Sequence, residues 1–159
     1  MEQLSLKTME TEKKKRTLLN EMNVKMPAVS ENESTARAVV NAFAARYDPT
    51  VEELADIRCA VSEAVTNSVV HAYGGKGGTL YIRIRAYSDR SIAIEVRDRG
   101  RGIEDVKKAM EPLFTTDKSG ERSGIGFAVM QSFTDSVKVR STPGKGTSVT
   151  LIKKLSAEE

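Results

Sequence analysis

Two runs of alternating residues joined by a short turn constrain this chain more than any other feature. Leu80, Ile82, Ile84 and Ala86 alternate with polar or aromatic neighbours, Ser88-Asp89-Arg90 turns the chain back, and Ile92, Ile94 and Val96 alternate again. Successive side chains of a strand point to opposite faces, so each run is a half-buried strand and the two form an antiparallel hairpin. The apolar face of such a hairpin must be covered by another layer.

The segments before it supply that cover. Ala36, Val39, Val40, Phe43, Ala44 and Tyr47 fall on one stripe at helical period, and Leu54, Ile57, Val61, Ala64, Val65 and Ser68 on another. Ser30 with Glu33, and Thr50 with Glu53, have the spacing of capping boxes, and Asp48-Pro49 separates the two helices. The second helix is expected to run from about residue 51 to 72, where the glycines of 74–78 end it in a connector. That stretch lacks the order of a phosphate loop and precedes a strand rather than a helix. Met22, Val24 and Met26 mark a first strand over about 20–29. Beyond the hairpin come a short helix near 104–110, an aperiodic loop over 111–124, a helix over 124–135, and two strands around the Pro143-Gly144-Lys145-Gly146 turn. Loops of that length in compact domains are often functional lids. The order β-α-α-β-β-α-α-β-β predicts an α+β two-layer sandwich, with helices on one face of a mixed, mostly antiparallel sheet. Residues 1–19 read as a flexible N-terminal extension, 20–154 as one domain and 155–159 as a tail.

Composition narrows the function. The 25 basic residues of this 159-residue chain face 22 acidic ones, a net charge of +3 that does not mark a nucleic-acid binder. The basic run Lys13-Lys14-Lys15-Arg16 reads as a solvated leader. Cys59 is the sole cysteine, which excludes an intrachain disulfide; its helical setting predicts a core or boundary position. No apolar run reaches the roughly 20 residues of a membrane span, and the cytoplasm is the simplest expected location.

Four segments carry chemistry. In Glu63-Ala64-Val65-Thr66-Asn67 the carboxylate and the amide are four apart, hence on one helical face, with His71 a turn further on. A carboxylate can take a proton and an amide oxygen can ligate a hard cation such as Mg²⁺. Asp98-Arg99-Gly100-Arg101-Gly102 ends a strand with an acceptor suited to an amino group such as adenine N6, and its glycines allow close backbone approach. Arg122-Ser123-Gly124-Ile125-Gly126-Phe127 opens a helix with exposed N–H groups suited to an anion. Arg122 can add charge-assisted bonds to a phosphate. Gly146-Thr147 starts the last strand, where the threonine hydroxyl could support the aspartate or a base edge. Each segment alone also fits a solvated helix face, a plain turn or a hinge; their order and spacing are the specific signal.

That ordered set resembles the Bergerat-type ATP-binding fold shared by gyrase, the Hsp90 chaperone, histidine kinases and MutL, over about residues 21–153. Ser62–Asn67, Pro112-Leu113-Phe114-Thr115-Thr116, Glu121–Phe127 and Asn32–Arg37 are similar in detail to the anti-sigma factor serine/threonine kinases of spore-forming bacteria. The resemblance implies ATP and Mg²⁺ as cofactors and Glu63 as the general base toward a substrate serine. It implies Asn67 as the Mg²⁺ ligand, and Asp98, Gly100, Gly102 and Thr147 at the adenine. It further implies Thr115 and Thr116 in the lid, Arg122, Ser123, Gly124 and Gly126 at the phosphates, and Glu33 and Arg37 in a partner-binding region. The implied partners are an RNA polymerase sigma factor and an anti-anti-sigma protein substrate, with no direct nucleic acid, no membrane and a homodimeric state. A general-stress regulator of the same family, an ATP-gated binding module and an ATP hydrolase remain the alternatives. A phosphoaccepting role for His71 is disfavoured because it sits within the ATP-site helix, where it reads as a structural residue or one supporting the site from behind its ligand contacts.

Overall fold

The computed structural model describes residues 16–111 and 123–157. Strand β1 (Leu18–Pro27) leads into helix α1 (Glu31–Ala45) and helix α2 (Val51–Thr66), which continues as a π-helical turn (Asn67–Ala72). The hairpin β2 (Thr79–Tyr87) and β3 (Ser91–Asp98) follows, then the short helix α3 (Val106–Ala109), helix α4 (Ser123–Phe133) and the closing hairpin β4 (Ser136–Thr142) and β5 (Gly146–Lys154). The element order is the one the sequence predicts, with β1 beginning and ending two residues early. The Thr115–Thr116 lid segment and Arg122 lie outside the described residues, as do most of the leader and the last two residues.

The strands form one five-stranded sheet in the order β1-β2-β3-β5-β4. Its pairing is antiparallel throughout rather than mixed, because β5 inserts between β3 and β4 and runs against both. Leu80, Ile82 and Ile84 of β2, Ile92, Ile94 and Val96 of β3, and Val149 and Leu151 of β5 are buried on one face. Against them lie Val40 and Phe43 of α1, Ile57, Val61 and Val65 of α2, and Met130 of α4. Each such side chain contributes about 1.5–3 kcal/mol of transfer free energy. Cover thins toward the outer strand: in β1 Met26 is buried, Val24 is half-buried and Met22 is exposed. Cys59 is exposed rather than at the core boundary, because the inward stripe of α2 runs through Ile57, Ala60, Val61 and Ala64.

One of the two expected capping boxes forms. Thr50 Oγ1 accepts from the Glu53 N–H at 3.0 Å, and Glu53 Oε1 accepts from the Thr50 N–H at 2.8 Å. At α1, Ser30 already has helical angles (φ −55°, ψ −39°) and makes no side-chain cap, so that box is absent. Glu33 instead accepts from the Thr66 hydroxyl at 3.3 Å, which turns a presumed cap into an α1–α2 contact. Lys153 of β5 donates to Asp56 at 2.9 Å and to the Phe133 carbonyl at 3.0 Å, tying the sheet to α2 and to the C-terminal end of α4.

Glu53 also accepts from the Ser156 N–H at 2.8 Å, so the cap of α2 holds the chain beyond β5 as well. Desolvation alone would raise its carboxyl pKa, but the hydrogen bonds from Thr50 and Ser156 outweigh it and hold the pKa below the usual carboxylate value. A lowered folded-state pKa adds stability above the unfolded value that is lost as pH falls through the folded value. Glu53→Gln should therefore lower the unfolding free energy by about 1 kcal/mol at neutral pH. In urea melts across pH, the deficit relative to the parent should shrink as pH falls through the lowered pKa.

Candidate functional site

Helix α2 and the first turn of α4 place the acid and the amide together. Glu63 and Asn67, one turn apart, both reach Gly126 near the start of α4. A methyl group at Gly126 would stand 3.3 Å from Glu63 Oε2, a tight contact, and 3.5 Å from Asn67 Oδ1, an ordinary one, so both side chains pack against this turn of α4. The Asn67 amide nitrogen is buried without a hydrogen-bond partner. Buried amides are normally satisfied, and an unpartnered one beside a helix N-terminus fits a site that a charged group completes. Ser123 and Gly124 lie in the same opening turn of α4.

A cavity of about 660 Å³ runs from Asn67 to Asp98 and Thr147, within the roughly 300–1,000 Å³ usual for small-molecule sites. Gly102 lines it, as do Arg101, Asp105, Lys108 and His71, none of which the sequence singled out as ligand contacts. His71 thus lines the cavity. The change from α- to π-helical winding falls at Asn67, and the Tyr73 N–H reaches the Ser68 carbonyl at 3.2 Å. π-Helical turns of this kind recur at functional sites.

Asp98 is the fixed point at the far end. It is buried and accepts from the Ser68 hydroxyl at 3.0 Å, the Gly100 N–H at 3.0 Å and the Thr147 N–H at 3.2 Å. Of the two roles expected for the Thr147 hydroxyl, support of the aspartate falls to the backbone N–H instead, while the hydroxyl pairs with Ser141 Oγ at 2.8 Å. Gly100 holds its place because a side chain there would collide with the Ala72 carbonyl. Gly146, at φ +122°, has the same constraint from the Asp98 carbonyl. Ser68 was legible only as an apolar-stripe position, and Ser141 gave no motif at all.

The class is now defined. A family model described as a histidine kinase-like ATPase domain matches residues 26–153. The anti-sigma F factor of Caldanaerobacter subterraneus subsp. tengcongensis is 59% identical over 84% of this chain and 93% of its own length. That of Clostridium acetobutylicum is 51% identical over 89% of this chain and 99% of its own. Among solved structures, the RsbU and RsbW domains of a Mycobacterium tuberculosis protein superpose with a TM-score of 0.64 at 22% identity, over 87% of this chain. This chain spans about a third of that longer one, 33%. The chain belongs to the anti-sigma F factors, with an ATPase domain of the histidine kinase type.

Desolvation pushes the Asp98 carboxyl above its usual pKa, against the three hydrogen bonds that favour the ionised form. A raised folded-state pKa adds stability below the unfolded value that is lost as pH rises through the folded value. Ser68→Ala removes one of the bonds holding the carboxylate, so the Asp98 pKa should rise further. Carbon-13 NMR titration of the aspartate carboxyls in parent and variant reads this directly, and an unchanged or lower value would refute the assigned contact.

Proposed function

We propose that this chain binds ATP with Mg²⁺, phosphorylates a serine of an anti-anti-sigma protein, and captures a sporulation RNA polymerase sigma factor, sigma F. The observation that carries the reading is the meeting of Glu63 and Asn67 at Gly126 of α4, with Asn67 lining a cavity that also reaches the buried Asp98. The anti-sigma F factor relatives support the choice of partners.

Asp98 accepts from the adenine amino group, with Gly100, Gly102 and Thr147 shaping that end. The phosphates meet the α4 N-terminus at Ser123, Gly124 and Gly126, where unpaired N–H groups and the helix dipole favour negative charge; Arg122 and the lid threonines Thr115 and Thr116 complete this end. Asn67 holds Mg²⁺ through its amide oxygen, and that ion supplies positive charge to the phosphates when bound. Phosphoryl transfer asks for positioning and charge neutralisation more than covalent help. Glu63 then accepts the proton of the substrate serine. Its half-buried carboxylate stands beside the unsatisfied Asn67 amide, a placement a pure binding module would not need.

Glu33 and Arg37 are the proposed partner contacts. Arg37 donates to Ser62 Oγ at 3.1 Å, and Glu33 accepts from Thr66, so both touch the turns of α2 on either side of Glu63. A homodimer would use the outer strand β1, where Leu18, Leu19 and Met22 are exposed. No described helix is long and apolar enough to cross a membrane, which fits the proposed cytoplasmic location.

Labelled ATP, the protein and a purified anti-anti-sigma protein test the chemistry. Label should reach a serine of that partner, and Glu63→Gln should cut transfer by about 10²- to 10⁴-fold while ATP affinity is retained. Release of free phosphate without label on the partner would replace the kinase reading by ATP hydrolysis. At the other end, Asp98→Asn puts an N–H₂ where an acceptor is needed. Calorimetry should show ATP binding weakened by about 1.5–3 kcal/mol, roughly ten- to a hundredfold in Kd.

A further inference from the structure

The face of the sheet turned away from the helices carries a row of residues aligned by register: Lys25, Tyr81, Arg97, Ser148 and Arg140, one from each strand. Beside the β3–β5–β4 end of this row is a cleft of about 310 Å³. Four cations line it, Arg97, Arg99, Arg140 and Lys145, together with Thr142 and Ser148. It backs onto the nucleotide cavity, since Asp98 and Thr147 line both, but it opens on the opposite side of the sheet.

The arrangement is held in place. The guanidinium carbons of Arg97 and Arg99 sit 4.7 and 5.1 Å from the centroid of the Tyr81 ring, close enough for cation–π attraction to fix their planes. The Arg99 N–H also donates to the Tyr73 hydroxyl at 2.7 Å, which anchors its backbone. No carboxylate among the described residues forms an ion pair with any of the four cations. The one carboxylate at the cleft, Asp98, is already engaged by Ser68, Gly100 and Thr147. Like charges gathered in a concave site repel one another, and an anion that fills the site relieves this.

The extent of the positive field selects the anion. The neighbouring row sets Glu95 between Arg83 and Thr150 and ends in Lys138, and the next contains Glu21, paired with Arg85 at 3.3 Å. Positive charge is therefore densest at the cleft and is broken by carboxylates away from it. Four cations fall short of the roughly 6–10 phosphate contacts of strong duplex binding. The cleft spans β3, β5 and β4, two strand spacings or about 10 Å, the reach of about three extended residues. Planar guanidiniums match carboxylates in bidentate geometry.

We propose that this cleft docks an acidic segment of a partner protein, an extended stretch with carboxylates at alternate positions reaching Arg97, Arg99, Arg140 and Lys145. The inference does not depend on phosphoryl transfer, and its test does not use it. A labelled peptide with three alternating glutamates is titrated against the full chain by fluorescence anisotropy at low salt. The parent should bind it, more weakly as salt rises, and the double substitution Arg97→Gln with Arg140→Gln should weaken binding about tenfold or more. Both side chains are exposed, and loss of the Arg97–Tyr81 contact should shift the thermal melt by no more than a few degrees. Arg58→Gln, on exposed α2 surface, should bind as the parent does. Absence of peptide binding, equal binding by the double variant, or binding of a short DNA duplex that depends on the same two arginines while the peptide fails, would each overturn the proposal.

Discussion

The buried carboxylate of Asp98 is the interaction on which the rest of the site depends. Three donors from separate parts of the chain converge on it: Ser68 in the π-helical turn, Gly100 in the loop after β3, and Thr147 at the start of β5. A carboxylate taken out of water must find such partners or lose its charge. Their convergence fixes how α2, the β3 end and the β5 end sit relative to one another, and so fixes the wall of the cavity. The loop is tied on further when the Arg101 N–H donates to the Ala72 carbonyl and the Gly144 N–H donates to that of Arg101.

The other end of the site lies where α2 meets α4. Glu63 and Asn67 both approach Gly126, so a carboxylate, a polar amide and the positive end of a helix dipole share one small volume. The hydrophobic layer beneath makes this rigid. Val61, Ala64 and Val65 are buried on the same helix that carries Glu63 and Asn67, and Phe127 and Met130 are buried on α4. Core packing and site geometry are therefore properties of the same two helices.

Much of this was legible before any coordinates. The period-two runs of β2 and β3 and the 3.6-period stripes of α1 and α2 are strong local signals, and the Thr50–Glu53 box formed as read. The site motifs were legible because Glu63 and Asn67 need only helical spacing to share a face. Other features were not. Ser30 has the right neighbour for a cap, yet Glu33 is drawn to Thr66 across the helix pair. Cys59 lies off the stripe by its phase around α2, which a residue-type argument overlooks. Ser141 became a site residue only because β4 pairs with β5 and brings it to Thr147.

The sequence by itself determined the local alternatives: which segments are strands or helices, which faces are apolar, and which residue types could bind an anion, a cation or an amine. These follow from periodicity and side-chain chemistry, which act over a few residues. Tertiary structure decided the insertion of β5 between β3 and β4, the contact of the Thr147 backbone rather than its hydroxyl with Asp98, and the gathering of Arg97 and Arg140 from separate strands into one row. Those depend on register and close approach between residues far apart in the chain. Such contacts are set by the shared burial of one face, not by any local pattern.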